Sequence, residues 1–241
     1  KTGSIKRLNF PDKFSQIPPE RTAAQKAMPD TVRRVGIMGG TFNPIHIGHL
    51  LLAENAYSAF GLDQVLFIPS GCSYMKEQSG ILDADIRLYM TELATADNPH
   101  FQVSDIEIRR GGYTYTCETL EQLTDAHPDT EYYFLVGADS LFAMESWKAP
   151  ERIFQKAAVL AAVRDDLGSG RLSAQADYLR KKYHGSIHLI PSGNVEISSS
   201  DIRSRIREGR SIRYLVPEPV RDYIERNGLY RSDGQKGGHS G

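Results

Sequence analysis

The 241-residue sequence predicts an α/β fold, a doubly wound and mostly parallel sheet with helices on both faces. Three observations predict it. Short apolar runs of strand length alternate with helix-period segments from Val35 to Arg226. The first run, Val35–Met38, passes through Gly39 and Gly40 into a helix that begins near Gly48. That strand, glycine turn, helix order presents main-chain amides at a helix N-terminus. Right-handed crossovers then set the loops after the strands along one edge, where ligands bind.

Each element has its own warrant. Residues 1–32 carry Pro11, Pro18, Pro19 and Pro29 among polar residues. They are expected to form a flexible or loosely packed extension, with a short helix over Pro19–Met28. A single domain is expected over 33–231. After the first strand and the loop Thr41–Pro44, positions Leu50, Leu51, Ala53, Glu54, Ala56 and Tyr57 follow the helical period. Val65–Pro69 reads as a short apolar strand. Asp83–Ala96 reads as a helix, with Ile86, Leu88, Met90, Leu93 and Ala94 as its apolar positions. Phe101–Asp105 is expected to be a strand, Tyr115–Ala126 a helix and Tyr132–Val136 a fully apolar strand. A short helix over Pro150–Gln155 leads to the strand Ala158–Val163. Ile187–Ile190 is the last strand, and helices over Ser199–Glu208 and Pro217–Arg226 close the domain. Residues 232–241, rich in Gly and Ser, are expected to be a frayed tail. No internal repeat is present.

Composition narrows the functional classes. Lys and Arg number 29 and Asp and Glu 30, a net charge of -1, which gives no support for a nucleic-acid-binding surface. Hydrophobic residues make up 40%, enough for a buried core. Two widely spaced cysteines, Cys72 and Cys117, suggest reduced thiols and a cytoplasmic location rather than a disulfide framework. No apolar run approaches a membrane span, and no secretory signal is seen. Homo-oligomerisation is left open.

Two stretches carry chemistry. In the first, G-G-T-F-N-P-I-H-I-G-H, His46 and His49 lie at the expected helix start. Three residues apart on one helical face they point the same way, and as donors they can meet phosphate oxygens. A metal pair or two surface histidines are the rival readings, but a metal wants a third ligand and the cysteines are too scattered to supply one. Gly39 and Gly40 allow close approach of main chain to a ligand. In the second stretch, I-S-S-S-D-I-R from Ile197 to Arg203, Ser198 or Ser199 can be a helix N-cap. The same helix start with Arg203 one turn in can also clamp an anion.

The first stretch resembles the nucleotidyltransferase superfamily, whose H-x-G-H motif, here His46-Ile47-Gly48-His49, binds the phosphates of ATP. The second resembles the superfamily's I-S-S-T-x-I-R motif, with Ser200 in place of threonine. The resemblance implies a Rossmann-like nucleotidyltransferase fold and attack on the α-phosphorus of ATP with release of pyrophosphate. Class I aminoacyl-tRNA synthetases share the first motif. The chain has neither their K-M-S-K-S motif nor room for an anticodon-binding domain. Further runs resemble the bacterial nicotinate-nucleotide adenylyltransferase family: V-S-D-I-E-I at Val103, G-Y-T-Y-T at Gly112, L-V-G-A-D-S at Leu135 and S-I-R-Y-L-V-P at Ser211. The resemblance covers about Arg33–Arg231. It stops short of both tails, so the N-terminal one is expected to be dispensable.

This resemblance implies ATP and nicotinate mononucleotide as substrates and nicotinate adenine dinucleotide as product, a late step in NAD synthesis. It implies catalytic roles for His46, His49 and Arg203. ATP binding is assigned to Gly39, Gly40, Thr41, Phe42, Asn43, Gly48, Gly137, Asp139, Ile197, Ser198 and Ser199. Asp139 could instead stabilise a turn. Substrate binding is assigned to Lys76, Tyr115, Thr116, Trp147 and Arg164. Trp147 can stack on the nicotinate ring or belong to the core, and Thr116 can equally cap its helix. Lys76 can be a solvated loop lysine and Arg164 a rim residue. Mg²⁺ is expected to bridge phosphates with few protein ligands. The family often has aspartate where this chain has Asn43, so no protein metal site is assigned. Alternatives are another phosphate acceptor, nicotinamide mononucleotide or phosphopantetheine, or a nucleotide-sensing module without turnover.

Overall fold

The computed structural model describes residues 32–73, 80–163, 169–191 and 196–231. The expected extension, its helix, the tail, and the site candidates Lys76 and Arg164 lie outside the described residues.

Eight strands, nine α-helices and a short 3-10 helix, Met144–Ser146, are found among the described residues. The chain runs β1 (Arg33–Gly40), α1 (Ile47–Phe60), β2 (Gln64–Pro69), β3 (Cys72–Ser73), α2 (Ala84–Thr95), β4 (Phe101–Val103) and α3 (Ile106–Arg110). It continues with β5 (Tyr113–Thr114), α4 (Thr116–Ala126), β6 (Thr130–Val136), α5 (Ala138–Ala143), α6 (Pro150–Lys156) and β7 (Ala157–Val163). It ends with α7 (Ser169–Tyr183), β8 (Ile187–Pro191), α8 (Ser199–Arg207) and α9 (Glu218–Arg226). A six-stranded sheet has the order β4-β2-β1-β6-β7-β8, and every pairing in it is parallel. β3 and β5 form a separate two-stranded ribbon.

The strand order creates the site. From β1 the chain builds outward through β2 to β4, then returns to lay β6 against the other side of β1. At such a reversal the loops leaving β1 and β6 part in opposite directions and open a crevice at the C-terminal strand ends. Alternation along the strands fills both faces. Val35, Ile37, Phe134 and Val136 face one core with Leu120, Ile153 and Leu172. Met38, Leu135 and Leu160 face the other with Ala53, Met90, Ile202 and Val220.

Three helices depart from the expected pattern. The strand from Phe101 stops at Val103, and Asp105 instead precedes α3. Neither α3 nor α5 is long enough to show a helical period. α7 has a narrow stripe, Leu172, Ala176 and Leu179, each buried, in an otherwise polar segment whose mean hydropathy hides it. The last helices begin and end within a residue of expectation.

Glycines at the sheet edge differ in what they are for. A Cβ on Gly71 would lie 2.8 Å from the Glu107 carbonyl oxygen, main chain that cannot step aside. A Cβ on Gly39 would meet only Phe134, at an ordinary 3.7 Å. Gly71→Ala should therefore lower unfolding stability by about 1–3 kcal/mol. Gly39→Ala should stay within about 0.5 kcal/mol of the parent. Urea unfolding midpoints check this, and equal losses would contradict the assignment of Gly71 to packing.

Candidate active site

A cavity of about 900 Å³ opens at the β1–β6 crevice. Gly39, Gly40, Thr41, Phe42 and Asn43 line it from the end of β1. His46, Gly48 and His49 line it from the start of α1, Gly137 and Asp139 from the end of β6, and Trp147 from beyond α5. Ile197, Ser198, Ser199 and Arg203 complete it from the start of α8. The fold thus brings both chemical stretches, 150 residues apart in sequence, to one wall. Tyr115 and Thr116 are not among the residues lining it.

The two histidines meet differently from the expected helical pair. His46 is the N-cap of α1, with extended backbone (φ −147, ψ 169), and the helix begins at Ile47. Its ring stacks on His49 with centroids 3.7 Å apart. The His46 main-chain N–H donates to His49 Nδ1 at 3.2 Å. With Nδ1 accepting, the proton of a neutral His49 sits on Nε2, which makes that atom a donor. The edge of Phe42 packs on His49, centroids 5.0 Å apart. His46 is buried, and burial lowers its pKa to about 4, so it is a neutral imidazole at pH 7. The glycine between them has a steric reason: a Cβ on Gly48 would lie 3.1 Å from His46 Nδ1.

The loop Thr41–Pro44 is tied down carbonyl by carbonyl. Arg87 donates to the Thr41 carbonyl at 2.7 Å. Arg203 donates to that of Asn43 at 2.8 Å, and Ser199 Oγ to that of Pro44 at 2.9 Å. Asn43 is buried with both ends of its amide engaged. Its Nδ2 donates to Gly80, while Oδ1 accepts from the Leu82 N–H and, at 2.8 Å, from Tyr230. Asn43 therefore acts as a brace under the loop. Phe42 likewise turns inward: its ring is buried, and a Cβ on Gly40 would strike it at 2.8 Å.

At α8 the serines divide the structural work. Ser198 is the cap, its hydroxyl accepting from the Asp201 N–H at 3.1 Å. Ser200 Oγ accepts from Arg203. The amides of Ser199 and Ser200, as first-turn groups, have no intrahelical acceptor by helix geometry. Arg203 lies beside them.

On the opposite wall Trp147 belongs partly to the core. It faces the cavity and packs edge-on against Phe134, centroids 6.1 Å apart. Asp139 lies exposed in the first turn of α5 rather than in an isolated turn. Thr116 is the first residue of α4, whose N-cap is Tyr115 with no side-chain cap bond, so the expected Thr116 cap is absent. One turn into α4, the Thr119 hydroxyl donates to buried Glu107 at 2.7 Å. Tyr115 is near the Trp147 segment, since Lys148 Nζ sits 3.8 Å above its ring.

Three supports escaped the sequence reading. Arg87 lies on the buried stripe of α2 with Met90, Thr91 and Ala94, and a charge at that spacing was the available signal. Tyr230 reaches Asn43 from beyond α9, with no local pattern to announce it. The Leu215 carbonyl accepts from the Ile47 N–H at 2.9 Å, so the S-I-R-Y-L-V-P run braces the start of α1 through its main chain.

The cytidylyltransferase-like family profile matches residues 37–205. A protein of Lachnoclostridium phytofermentans named "probable nicotinate-nucleotide adenylyltransferase" is 48% identical over 199 residues, 83% of this chain and 100% of that protein. One of the same name from Thermoanaerobacter sp. is 41% identical over 205 residues, 85% and 97% of the two chains. Among solved structures, the nicotinic acid mononucleotide adenylyltransferase of Plasmodium falciparum complexed with NaAD has a TM-score of 0.68 at 20% identity. It covers 82% of this chain and 97% of its own, a likeness of fold.

The buried His46 has a consequence for stability. Its folded pKa lies near 4, below the ordinary value of about 6.5. Between those values the unfolded chain binds the extra proton, so stability is full above pH 6.5 and falls as pH drops toward 4. The contribution lost is roughly 3 kcal/mol. Urea unfolding from pH 7 to pH 4 should show a shallower fall for His46→Gln than for the parent. Parallel curves would contradict a buried neutral His46.

Proposed function

Because the chain belongs to the nicotinate-nucleotide adenylyltransferase family within the cytidylyltransferase-like proteins, we propose that its cavity performs the family's reaction by alignment and charge neutralisation. The reaction transfers AMP from ATP to nicotinate mononucleotide, giving nicotinate adenine dinucleotide and pyrophosphate. The observation that carries the reading is the convergence of His46, His49, the α8 start and Arg203 on one cavity at the switch point.

The acceptor's phosphate is already an anion near neutral pH and needs no general base. One of its oxygens attacks the α-phosphorus while the bond to the bridging oxygen of pyrophosphate breaks. Negative charge grows on the α-phosphate oxygens and on the leaving group, and fixed donors there lower the barrier. His49 Nε2–H is such a donor, and neutral His46 stacked on it holds it in place and adds a second imidazole. Arg203 and the Ser199 and Ser200 amides meet the leaving pyrophosphate. Gly39, unneeded by internal packing, leaves room for nucleotide against the sheet end. Trp147 offers a flat face for the pyridine ring. Its main-chain N–H donates to the Met144 carbonyl, which leaves neighbouring donors to meet the nicotinate carboxylate.

Magnesium belongs to this reading as part of the nucleotide substrate. Among the described residues no group of three or more His, Cys, Asp or Glu side chains could hold a metal, and the Asn43 amide is fully engaged. The chain's donors suit phosphate, and no step is assigned to a protein-held ion. Among the described residues no helix is long and apolar enough to cross a membrane. A cytoplasmic location is the proposed setting.

Pyrophosphate release with ATP and each of nicotinate mononucleotide, nicotinamide mononucleotide and phosphopantetheine tests the proposal. We expect kcat/KM to favour nicotinate mononucleotide over its amide by roughly tenfold to a hundredfold, because buried donors facing an amide NH₂ go unpaired. His49→Ala should lower kcat by about 10²–10³ with the fold intact. Equal use of the two pyridine nucleotides would contradict acid specificity, and normal turnover by folded His49→Ala would contradict the donor assignment.

A further inference from the structure

We propose that Arg87, which lies outside the cavity, is a positioning residue that sets the polarity of the phosphate-facing loop. The inference rests on the functional reading above. The Arg87 guanidinium is buried and fans out to four main-chain carbonyls. Nε donates to Leu82 at 2.9 Å, Nη1 to Thr41 at 2.7 Å, and Nη2 to Ser70 at 2.7 Å and Gly71 at 3.0 Å. Only the planar five-donor fork of arginine can serve acceptors spread in this way.

In a trans peptide the C=O and the following N–H point in opposite directions. Arg87 holds the Thr41 carbonyl from the buried side. The Thr41–Phe42 peptide must therefore present its N–H away from Arg87, while Thr41 and Phe42 themselves line the cavity. No main-chain acceptor among the described residues takes that N–H. The opposite orientation would aim a carbonyl oxygen at the nucleotide's phosphates and repel them. Phe42 also sits at φ 47, a left-handed conformation that costs a non-glycine residue free energy and persists only when its surroundings enforce it. Arg87 from below and the buried Phe42 ring supply that enforcement. The same enforcement extends along the loop, where Arg203 and Ser199 hold the carbonyls of Asn43 and Pro44.

The test compares Arg87→Lys with Thr95→Val. Thr95 is buried in the same helix and bonds only to helix carbonyls, so its loss destabilises α2 without touching the loop. Arg87→Lys should raise KM for ATP about tenfold or more and weaken inorganic pyrophosphate binding equally, while KM for nicotinate mononucleotide changes less than about twofold. Thr95→Val, at a similar loss of Tm, should keep the parent KM for ATP. Arg87→Lys with a lowered Tm but parent KM values would overturn the proposal and leave Arg87 a packing residue. If Arg87→Lys does not fold, the wild-type protein decides alone. On titration with pyrophosphate the Phe42 amide NMR resonance should move and saturate, and a stationary resonance overturns the proposal. Wild-type protein that binds pyrophosphate and ATP but uses none of the tested acceptors would leave Arg87 intact and remove only the acceptor. Wild-type protein that binds neither would overturn both readings.

Discussion

The structure depends on one constraint: the main chain of Thr41–Pro44 must turn the carbonyls of Thr41, Asn43 and Pro44 into the protein. Arg87, Arg203 and Ser199 receive them, from α2 and α8. Asn43 reaches in the other direction to Gly80, Leu82 and Tyr230. Four distant parts of the chain thus converge on four residues of loop. A buried carbonyl without a donor would cost about 1–3 kcal/mol, so each of these supports is needed for the loop to stay in place. Once it does, the loop carries the chain from the end of β1 to the start of α1, and the histidines line the crevice.

Glycine usage records the same constraint. Gly40 gives way to the Phe42 ring and Gly48 to the His46 ring, while Gly39 gives way to nothing within the chain. Two of the three motif glycines are therefore explained by packing that shapes the site. The third lines the cavity. The aromatic edge of Phe42 and the stacked His46 then fix His49 from two sides, which leaves it little freedom to lose when a nucleotide binds.

Much of this was legible in the sequence because periodicity reports burial. The long strands of the sheet and helices such as α2 and α4 declared themselves through apolar spacing. The two motifs declared the site because glycine, histidine and serine cluster at strand and helix ends only for a reason. Short elements did not show: α3 and α5 span too few residues for a period, and the α7 stripe is one residue wide. Residues that act through their main chain were also hidden. Nothing in the identity of Leu215 says that its carbonyl will hold Ile47, and nothing local to Asn43 says that its amide will also brace segments far apart in sequence. His46 appeared to share a helical face with His49, whereas the fold seats it one step earlier, as the cap, and stacks the rings instead.

A site built this way suits the alignment of reactants and the meeting of charge, and neither of its histidines is placed as a nucleophile for the α-phosphorus. His46 is neutral and walled by Gly48 and His49, and His49 is held with Nδ1 accepting from main chain. The central claim is therefore a single in-line displacement. The stereochemical course at the α-phosphorus tests it most directly, using ATP made chiral there with sulfur and oxygen isotopes. The account predicts inversion of configuration in the dinucleotide product. Retention would mean two displacements through a covalent enzyme intermediate and would contradict it.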